Sequence, residues 1–185
     1  MQGRLRADVR GFSLTELMLT VAIAAVLAGM AVPALRAVDD ATRLSNAAQQ
    51  VERELQTARM RAVSNNAPLR FRTNCPATGY YRFTEYMATV SDGSTTRCNV
   101  STYPWPAPDT DLATLPNFDG PVRQMLNDAT ISDAWLEFHP DGTAWTVASN
   151  AATAITPGTP VTITVTRKGT TKTVTINELG KIKLQ

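Results

Sequence analysis

The sequence predicts an α+β fold, in which a long N-terminal α-helix packs on an antiparallel β-sheet head. In the first third of the chain, apolar residues form a continuous run and then recur at helical spacing. From Pro68 onward, apolar and polar residues alternate between turn signals, which is typical of antiparallel strands with one buried face. With 185 residues, 43% of them hydrophobic, the chain is long enough for one domain and an appendage.

The charge distribution excludes one class of function. The formal net charge of +2 arises in residues 1–11, where Arg4, Arg6 and Arg10 outnumber Asp8. The rest of the chain is therefore formally neutral. A protein that binds nucleic acid through its overall charge is excluded, and any such activity requires a local patch.

An apolar run, residues 12–35, is long enough to cross a membrane as a helix. The basic segment before it is expected to stay on the cytoplasmic side. A cleaved secretory signal is the alternative, with residues 22–24 as a small-x-small site, but the apolar run continues past that site. Glu16 lies inside the run, where a carboxylate costs about 2.5–3.5 kcal/mol and is usually functional and paired.

A free amino terminus near Glu16 would compensate its charge. Cleavage between Gly11 and Phe12 would give Phe12 a positively charged amine. The geometry for this ion pair is poor within one helix, so we expect the amine to come from a neighbouring copy shifted by about one turn. A buried ion pair of this kind fixes the register in which subunits stack.

The segment RGFSLTEL, residues 10–17, resembles the cleavage motif of type IV pilins and type II secretion pseudopilins. In that family a prepilin peptidase cuts after the glycine and methylates the new terminal residue, and the glutamate guides assembly. Gly11 and Phe12 match the processing positions, and Glu16 matches the assembly glutamate. Pro33 matches the proline that commonly kinks these helices. A plain single-pass anchor with an accidental Glu16 is the alternative.

The helix is expected to continue beyond the apolar run. Residues 36–66 are polar but keep a narrow apolar seam, which should pack on the head. The seam consists of Leu44, Ala48, Val51, Leu55, Ala58 and Ala62. Asn65, Asn66 and Pro68 predict its end. The predicted organisation is a leader at 1–11, a membrane-spanning assembly helix at 12–35, an amphipathic continuation at 36–66 and a β-rich head at 67–185.

Alternating residues in the head predict its strands. They are expected at Leu69–Arg72, from Tyr81 toward Val90, and at Ala134–His139, Thr143–Val147, Val161–Thr166, Val174–Ile176 and Ile182–Leu184. An irregular insert, residues 92–128, interrupts them, and within it Val122–Leu126 is predicted as a short helical turn. The turn at 138–144 and the Gly-basic-x-basic sequence at 180–183 resemble the GspH/FimT branch of the pilin family.

Two cysteines, Cys75 and Cys98, predict a disulfide, because their number is even and an exported chain meets an oxidising compartment. In the chain-entropy model, such a bridge stabilises the fold by roughly 3 kcal/mol. Two unpaired thiols are the alternative.

Five basic residues lie close together in the C-terminal sequence: Arg167, Lys168, Lys172, Lys181 and Lys183. In some FimT-like proteins a Gly-Arg-x-Arg sequence at this position is associated with DNA capture, and here lysines replace the arginines. Lysine contacts phosphate as a point charge, so salt-dependent, non-specific DNA binding is one hypothesis. An edge strand protected by charge is the other.

Other polar and aromatic residues give no indication of catalysis. His139 is the only histidine, and no nucleophile, phosphate-loop or paired-carboxylate motif is present, so we predict no enzyme, cofactor or metal. Asp109, Asp111 and Asp119 suit calcium, but three acids in a loop are more often simply solvated. Trp105 is either an exposed contact residue or a cover for the core.

The resemblance implies a minor pilin of a type IV pilus. Such a protein is inserted in the bacterial inner membrane with its head in the periplasm, and it is processed after Gly11. It then assembles through its N-terminal helix to initiate or cap a filament. The implied partners are the prepilin peptidase, other minor and major pilins, and the inner membrane. A minor pseudopilin of type II secretion and a DNA-binding minor pilin are the alternatives.

Overall fold

The computed structural model describes residues 12–88, 95–106 and 119–185, and in these ranges one long α-helix precedes ten β-strands. Helix α1 spans Leu14–Asn65. The strands are β1 Leu69–Thr73, β2 Tyr80–Glu85, β3 Arg123–Gln124, β4 Thr130–Ile131, β5 Trp135–Phe138, β6 Ala144–Ala148, β7 Ala151–Ala154, β8 Val161–Arg167, β9 Thr170–Ile176 and β10 Ile182–Leu184. This content confirms the predicted α+β class.

Polar side chains and a left-handed residue define the two ends of α1. At its start, the Glu16 N–H donates to Ser13 Oγ at 3.2 Å, which is an N-cap bond. At its end, Asn66 has φ 50°. The N–H of Ala67 then bonds to Ala62 O at 3.2 Å, and that of Asn66 to Val63 O at 3.3 Å. This is a Schellman motif, with asparagine in place of the usual glycine.

The chain divides into two compact units, and the first comprises Met1–Asp40. In its described part the large apolar side chains are exposed: Phe12, Leu14, Leu17, Met18, Leu19, Val21, Ile23, Val26, Leu27, Val32, Leu35 and Val38. The side chains of residues 30, 31, 33 and 34 lie outside the described set, so the expected role of Pro33 stays a prediction.

Within the described residues, no helix has a stretch both long enough and apolar enough to cross a membrane.

The second unit, Ala41–Gln185, contains two antiparallel sheets in the described residues. The larger sheet has the order β3-β2-β1-β5-β6-β7, and the smaller has the order β10-β9-β8-β4. In the larger sheet Phe71 lies opposite Phe83 of β2 and Leu136 of β5. In the smaller sheet Ile163 lies opposite Val174. All five of these residues belong to one hydrophobic cluster, so the buried faces of both sheets share one core.

The amphipathic part of α1 supplies the third wall of that core. All six residues of the predicted seam are buried, as is Ala47 beside them. They form one cluster with buried strand residues such as Phe138, Val165 and Ile176. Burial of each Leu or Val side chain contributes roughly 1.5–3 kcal/mol, so this seam is a main source of stability. The predicted packing of this seam on the antiparallel sheets is confirmed, while the predicted bounds 36–66 of the amphipathic part stay a prediction.

Three short strands, β3, β4 and β7, were not predicted from the sequence. The predicted helical turn at Val122–Leu126 is wrong: residues 123 and 124 pair with β2, and the Met125 N–H donates to Gly79 O at 2.8 Å. A 3₁₀ turn follows at Leu126–Asp128. β2 ends at Glu85, and Val90, which the sequence placed near its end, lies outside the described residues.

Candidate functional site

The first turn of α1 carries the residues predicted to guide assembly. Phe12 is 79% exposed and Glu16 is exposed, whereas Gly11 lies outside the described residues. A carboxylate in a first turn is favoured by the partial positive charge of the helix N-terminus. Ser13 and Glu16 have the spacing of a capping box, of which the bond to Ser13 Oγ is formed. This cap bond uses the side chain of Ser13 and the backbone N–H of Glu16, so it does not depend on the Glu16 carboxylate.

Cys75 and Cys98 are joined by a disulfide with a Cα–Cα distance of 5.0 Å. Both residues are buried. Cys98 ends a 3₁₀ helix, Thr95–Cys98, so the bridge attaches this part of the insert to the end of β1.

Buried arginines hold the described insert on the outer face of the larger sheet. Arg82 donates to the carbonyl oxygens of Gly120 and Tyr103, both at 2.6 Å. Arg97 pairs with both carboxylate oxygens of Asp119, at 2.8 and 2.6 Å, and lies 5.1 Å from the Tyr103 ring centroid. Because these side chains are buried and their bonds are satisfied, the outer face forms a second, polar core.

A further buried ion pair lies on the same face. Arg70 Nε donates to Glu137 Oε2 at 2.6 Å, directly across from it on β5. The other carboxylate oxygen of Glu137 lies 3.0 Å from His139 Nε2. The His139 ring stacks on Trp145 with a centroid distance of 4.6 Å. The one histidine therefore takes part in structural packing.

Tyr81 connects the larger sheet to α1. Gln50 Nε2 donates to Tyr81 Oη at 2.8 Å and to Gln124 O at 3.2 Å. Burial, together with the charge of Glu54, raises the pKa of Tyr81 to about 12, although the Gln50 bond and Arg123 act in the opposite direction. The phenol is thus strongly favoured in its neutral form.

The structure does not bring the five C-terminal basic residues into one patch. Arg167 Nε donates to Asn127 O at 2.8 Å, and Lys172 Nζ lies 3.3 Å from Ser45 Oγ of α1. Arg167 lies two residues from the buried Val165, and Lys172 lies two residues from the buried Val174. Because side chains alternate between the two faces of a strand, Arg167 and Lys172 lie on the side of the sheet that faces α1. Lys181 and Lys183 are exposed and lie on the opposite side of the smaller sheet, while Lys168 lies in the β8–β9 turn.

The loop carboxylates do not form a metal site in the described residues. Asp119 is buried and bound to Arg97, and Asp109 and Asp111 lie outside the described ranges. Across the described residues, no group of three His, Cys, Asp or Glu side chains could hold a metal ion. Trp105 is 51% exposed, which favours the first of its two predicted roles, an exposed contact residue.

Sequence analysis missed Arg70, Arg82 and Arg97 as buried residues. The alternation in β1 and β2 predicts one buried face, that of Phe71 and Phe83, and places Arg70 and Arg82 on the opposite face, whereas Arg97 lies in the insert. The signal that could have found them is the long insert itself. Its backbone carbonyl groups and its acids, such as Asp119, can bond to arginines on a sheet face that the insert covers.

Comparison with known proteins places these features in a class. Residues 47–180 match the family described as type II transport protein GspH, and residues 6–32 match the prokaryotic N-terminal methylation motif. No curated protein matches the chain.

Three solved structures are similar to the chain. Two are crystal forms of the type IV minor pilin FimU from Pseudomonas aeruginosa PAO1. Each is 15% identical to this chain. The first alignment covers 76% of this chain and 91% of the FimU chain, with a TM-score of 0.43, and the second covers 79% and 90%, with a TM-score of 0.48. The third is the minor pseudopilin EpsH of the type 2 secretion system of Vibrio cholerae. It has 14% identity, covers 77% of this chain and 96% of its own, and has a TM-score of 0.45.

In this chain an N-terminal methylation motif is followed by a long helix and, in the described residues, two antiparallel sheets. Because the family match covers more than half of the chain, the protein belongs to the GspH family.

Proposed function

We propose that this protein is a minor pilin of a type IV pilus, processed by a prepilin peptidase after Gly11 and assembled through α1. The observation that carries the proposal is the exposed apolar surface of residues 12–40, with Glu16 as the single acid in its first turn. Large exposed apolar surfaces mark membrane or protein contacts. The match of residues 6–32 to the methylation motif supports the proposed cleavage after Gly11.

The apolar stretch serves twice in this account. Before processing, it anchors the precursor in the inner membrane, with the head in the periplasm. After processing, it packs against the corresponding helices of other pilins, and the new amine of a subunit pairs with a glutamate of its neighbour. In an apolar bundle an unpaired charge is costly, so only the register that pairs both charges is populated. The head is a structural, non-enzymatic module that supplies subunit-specific contacts.

Substitution of Glu16 tests this proposal, with Ser13→Ala as the matched control. Glu16→Ala removes the carboxylate and keeps the backbone N–H that makes the observed cap bond, whereas Ser13→Ala removes that bond and keeps the charge. We expect Glu16→Ala to lose incorporation into sheared surface filaments by immunoblotting, while Ser13→Ala incorporates normally. Normal incorporation of Glu16→Ala, or an equal loss in both variants, would contradict a specific role of the charge.

A minor pseudopilin of type II secretion is the second candidate, and the description of the matching family as a type II transport protein favours it. Deletion of the gene separates the two. Loss of surface filaments with normal export of secreted enzymes supports the pilus. Loss of export with normal filaments assigns the protein to the secretion system instead.

A further inference from the structure

Strand β10 presents an open edge. In the smaller sheet it is an outermost strand. The Gln185 N–H donates to Thr173 O at 2.8 Å, which directs the backbone groups of the odd-numbered residues toward β9. Because bonding alternates along an antiparallel pair, the N–H and C=O groups of Ile182 and Leu184 point away from β9. In the described part of the chain, no backbone group bonds to them on that side.

A groove of about 580 Å³ is lined by α1 and by residues 179–182, which lead into β10. Its apolar surface comes from Met60, Leu179 and Ile182, of which the first two are each 63% exposed. Arg59 lines it as well, held by Nε to Gly142 O at 2.9 Å and by Nη2 to Leu179 O at 3.1 Å. An apolar side chain entering this groove would cover Met60 and Leu179.

The charges around the groove have one sign. Arg59 and Lys181 line it, and Lys183 follows on β10, whereas no carboxylate of the described residues lines it. The ion pairs among the described residues do not include these three cations. Lys183 lies on the exposed face of β10 and the exposed Lys181 immediately precedes the strand, whereas the half-buried Ile182 and Leu184 pack against the core.

We propose that β10 is a docking edge for an extended segment of a neighbouring filament subunit, one that alternates acidic and apolar side chains. The open backbone groups select an extended strand, because only a strand offers donors and acceptors at this spacing. Apolar side chains on one face of that strand would enter the groove, and acids on the other face would meet Lys181 and Lys183. This inference rests on the proposed function in one respect, namely that the docking segment belongs to another subunit of the filament.

Strand β7 provides an internal comparison. It is also an outermost strand, but Ala151–Ala154 carry no charge. If the lysines of β10 served only to prevent edge pairing, β10 would be the less receptive of the two edges. If the lysines instead attract a partner, an acidic strand should bind to the edge of β10 in preference to the edge of β7.

The test uses the whole 185-residue chain in detergent micelles and a synthetic peptide of alternating aspartate and valine. Amide hydrogen exchange is measured with and without the peptide. At 90% occupancy, we expect exchange at Ile182 and Leu184 to slow about tenfold, since only the free fraction exchanges. The amides of β7 should not change, and a lysine–valine peptide of equal length should protect neither edge.

Charge reversal sharpens the test. The double variant Lys181→Glu, Lys183→Glu should weaken peptide binding about tenfold. Lys168→Glu, in the β8–β9 turn, should leave it unchanged. An unchanged melting temperature shows that the exposed substitutions preserve the fold.

Three results would overturn the proposal: no protection at β10, equal protection by the lysine–valine peptide, or protection by a DNA oligonucleotide but not by the aspartate–valine peptide. The last would assign the two lysines to nucleic acid. None of these results bears on processing after Gly11 or on filament incorporation, so the proposed function is judged separately.

Discussion

The two stretches of α1 have similar apolar side chains and opposite surroundings. In residues 41–65 the seam is buried in the core of the head, with Leu55 fully buried, whereas in residues 12–40 Leu19 is 61% exposed. Amphipathic spacing gives the later stretch a polar face for solvent and an apolar face for the sheets. In the earlier stretch the described large apolar side chains are exposed, which is the basis for proposing that this stretch serves in assembly.

Truncation of one leucine in each stretch gives the largest expected effect. Leu55→Ala leaves a cavity in the core and should lower the free energy of unfolding by about 2–5 kcal/mol. Leu19→Ala should change it by less than about 0.5 kcal/mol, because that side chain is exposed in the single chain. Urea unfolding of both variants in the same detergent checks this, and a similar loss in both would remove the distinction between the stretches.

Alkaline pH tests the contact between α1 and the larger sheet at Tyr81. Its folded pKa is about 12, above the ordinary value of 10.0, so the folded state holds the proton more tightly than the unfolded state. Stability is therefore full below about pH 10 and falls as the pH rises toward 12, by at most about 2–3 kcal/mol. Thermal unfolding across that range measures the fall.

Tyr81→Phe is the control for the alkaline effect. It removes the titrating group while keeping the ring, so the stability curve should be flatter between pH 10 and 12. A curve identical to that of the unsubstituted protein would show that another group titrates there.

The C-terminal end of α1 gives a smaller expected effect. Asn66 has a positive φ, which costs an ordinary side chain roughly 1–2 kcal/mol. Asn66→Ala should lower the free energy of unfolding by about 1 kcal/mol, and Asn66→Gly should preserve or raise it. The same urea experiment measures both, and equal stability of the two variants would contradict a left-handed cap.

The N-terminal end of α1 gives the smallest effect. Ser13→Ala removes the bond from the Glu16 N–H and should speed exchange of that amide severalfold, because the cap contributes about 1 kcal/mol locally. The free energy of unfolding of residues 41–185 should not change. A shift in global stability would show that the first turn contributes to the fold of the head.

The sequence predicted those parts of the fold that depend on local pattern. The seam and the alternation in β8 and in the second half of β9 follow from periodicity, and the end of α1 follows from Asn65, Asn66 and Pro68; the structure has each of them. Strands β3 and β4, of two residues each, are too short to show alternation, and β7 consists of alanine and threonine. Tertiary pairing with β2 took priority over the helical tendency at Val122–Leu126.

The candidate sites were predicted less evenly. A carboxylate inside an apolar run singled out Glu16, whose role in assembly stays a prediction, and the even number of cysteines predicted the disulfide that the structure has. The separation of the basic residues onto two faces of the sheet could have been predicted from the alternation. Lys172 lies two residues from Val174 and so shares its face, whereas Lys183 is adjacent to Leu184 and so lies on the other face. The burial of Arg97 depends on the distant Asp119, and the open edge of β10 depends on sheet order, so no local pattern could predict either.

The central claim is that the exposed stretch of α1 becomes an assembly surface once cleavage frees an amine near Glu16. Intact mass spectrometry of the protein recovered from filaments of its native host tests this most directly. The account predicts a chain that begins at an N-methylated Phe12. A chain that still begins at Met1, or one that begins inside residues 17–35, would contradict it.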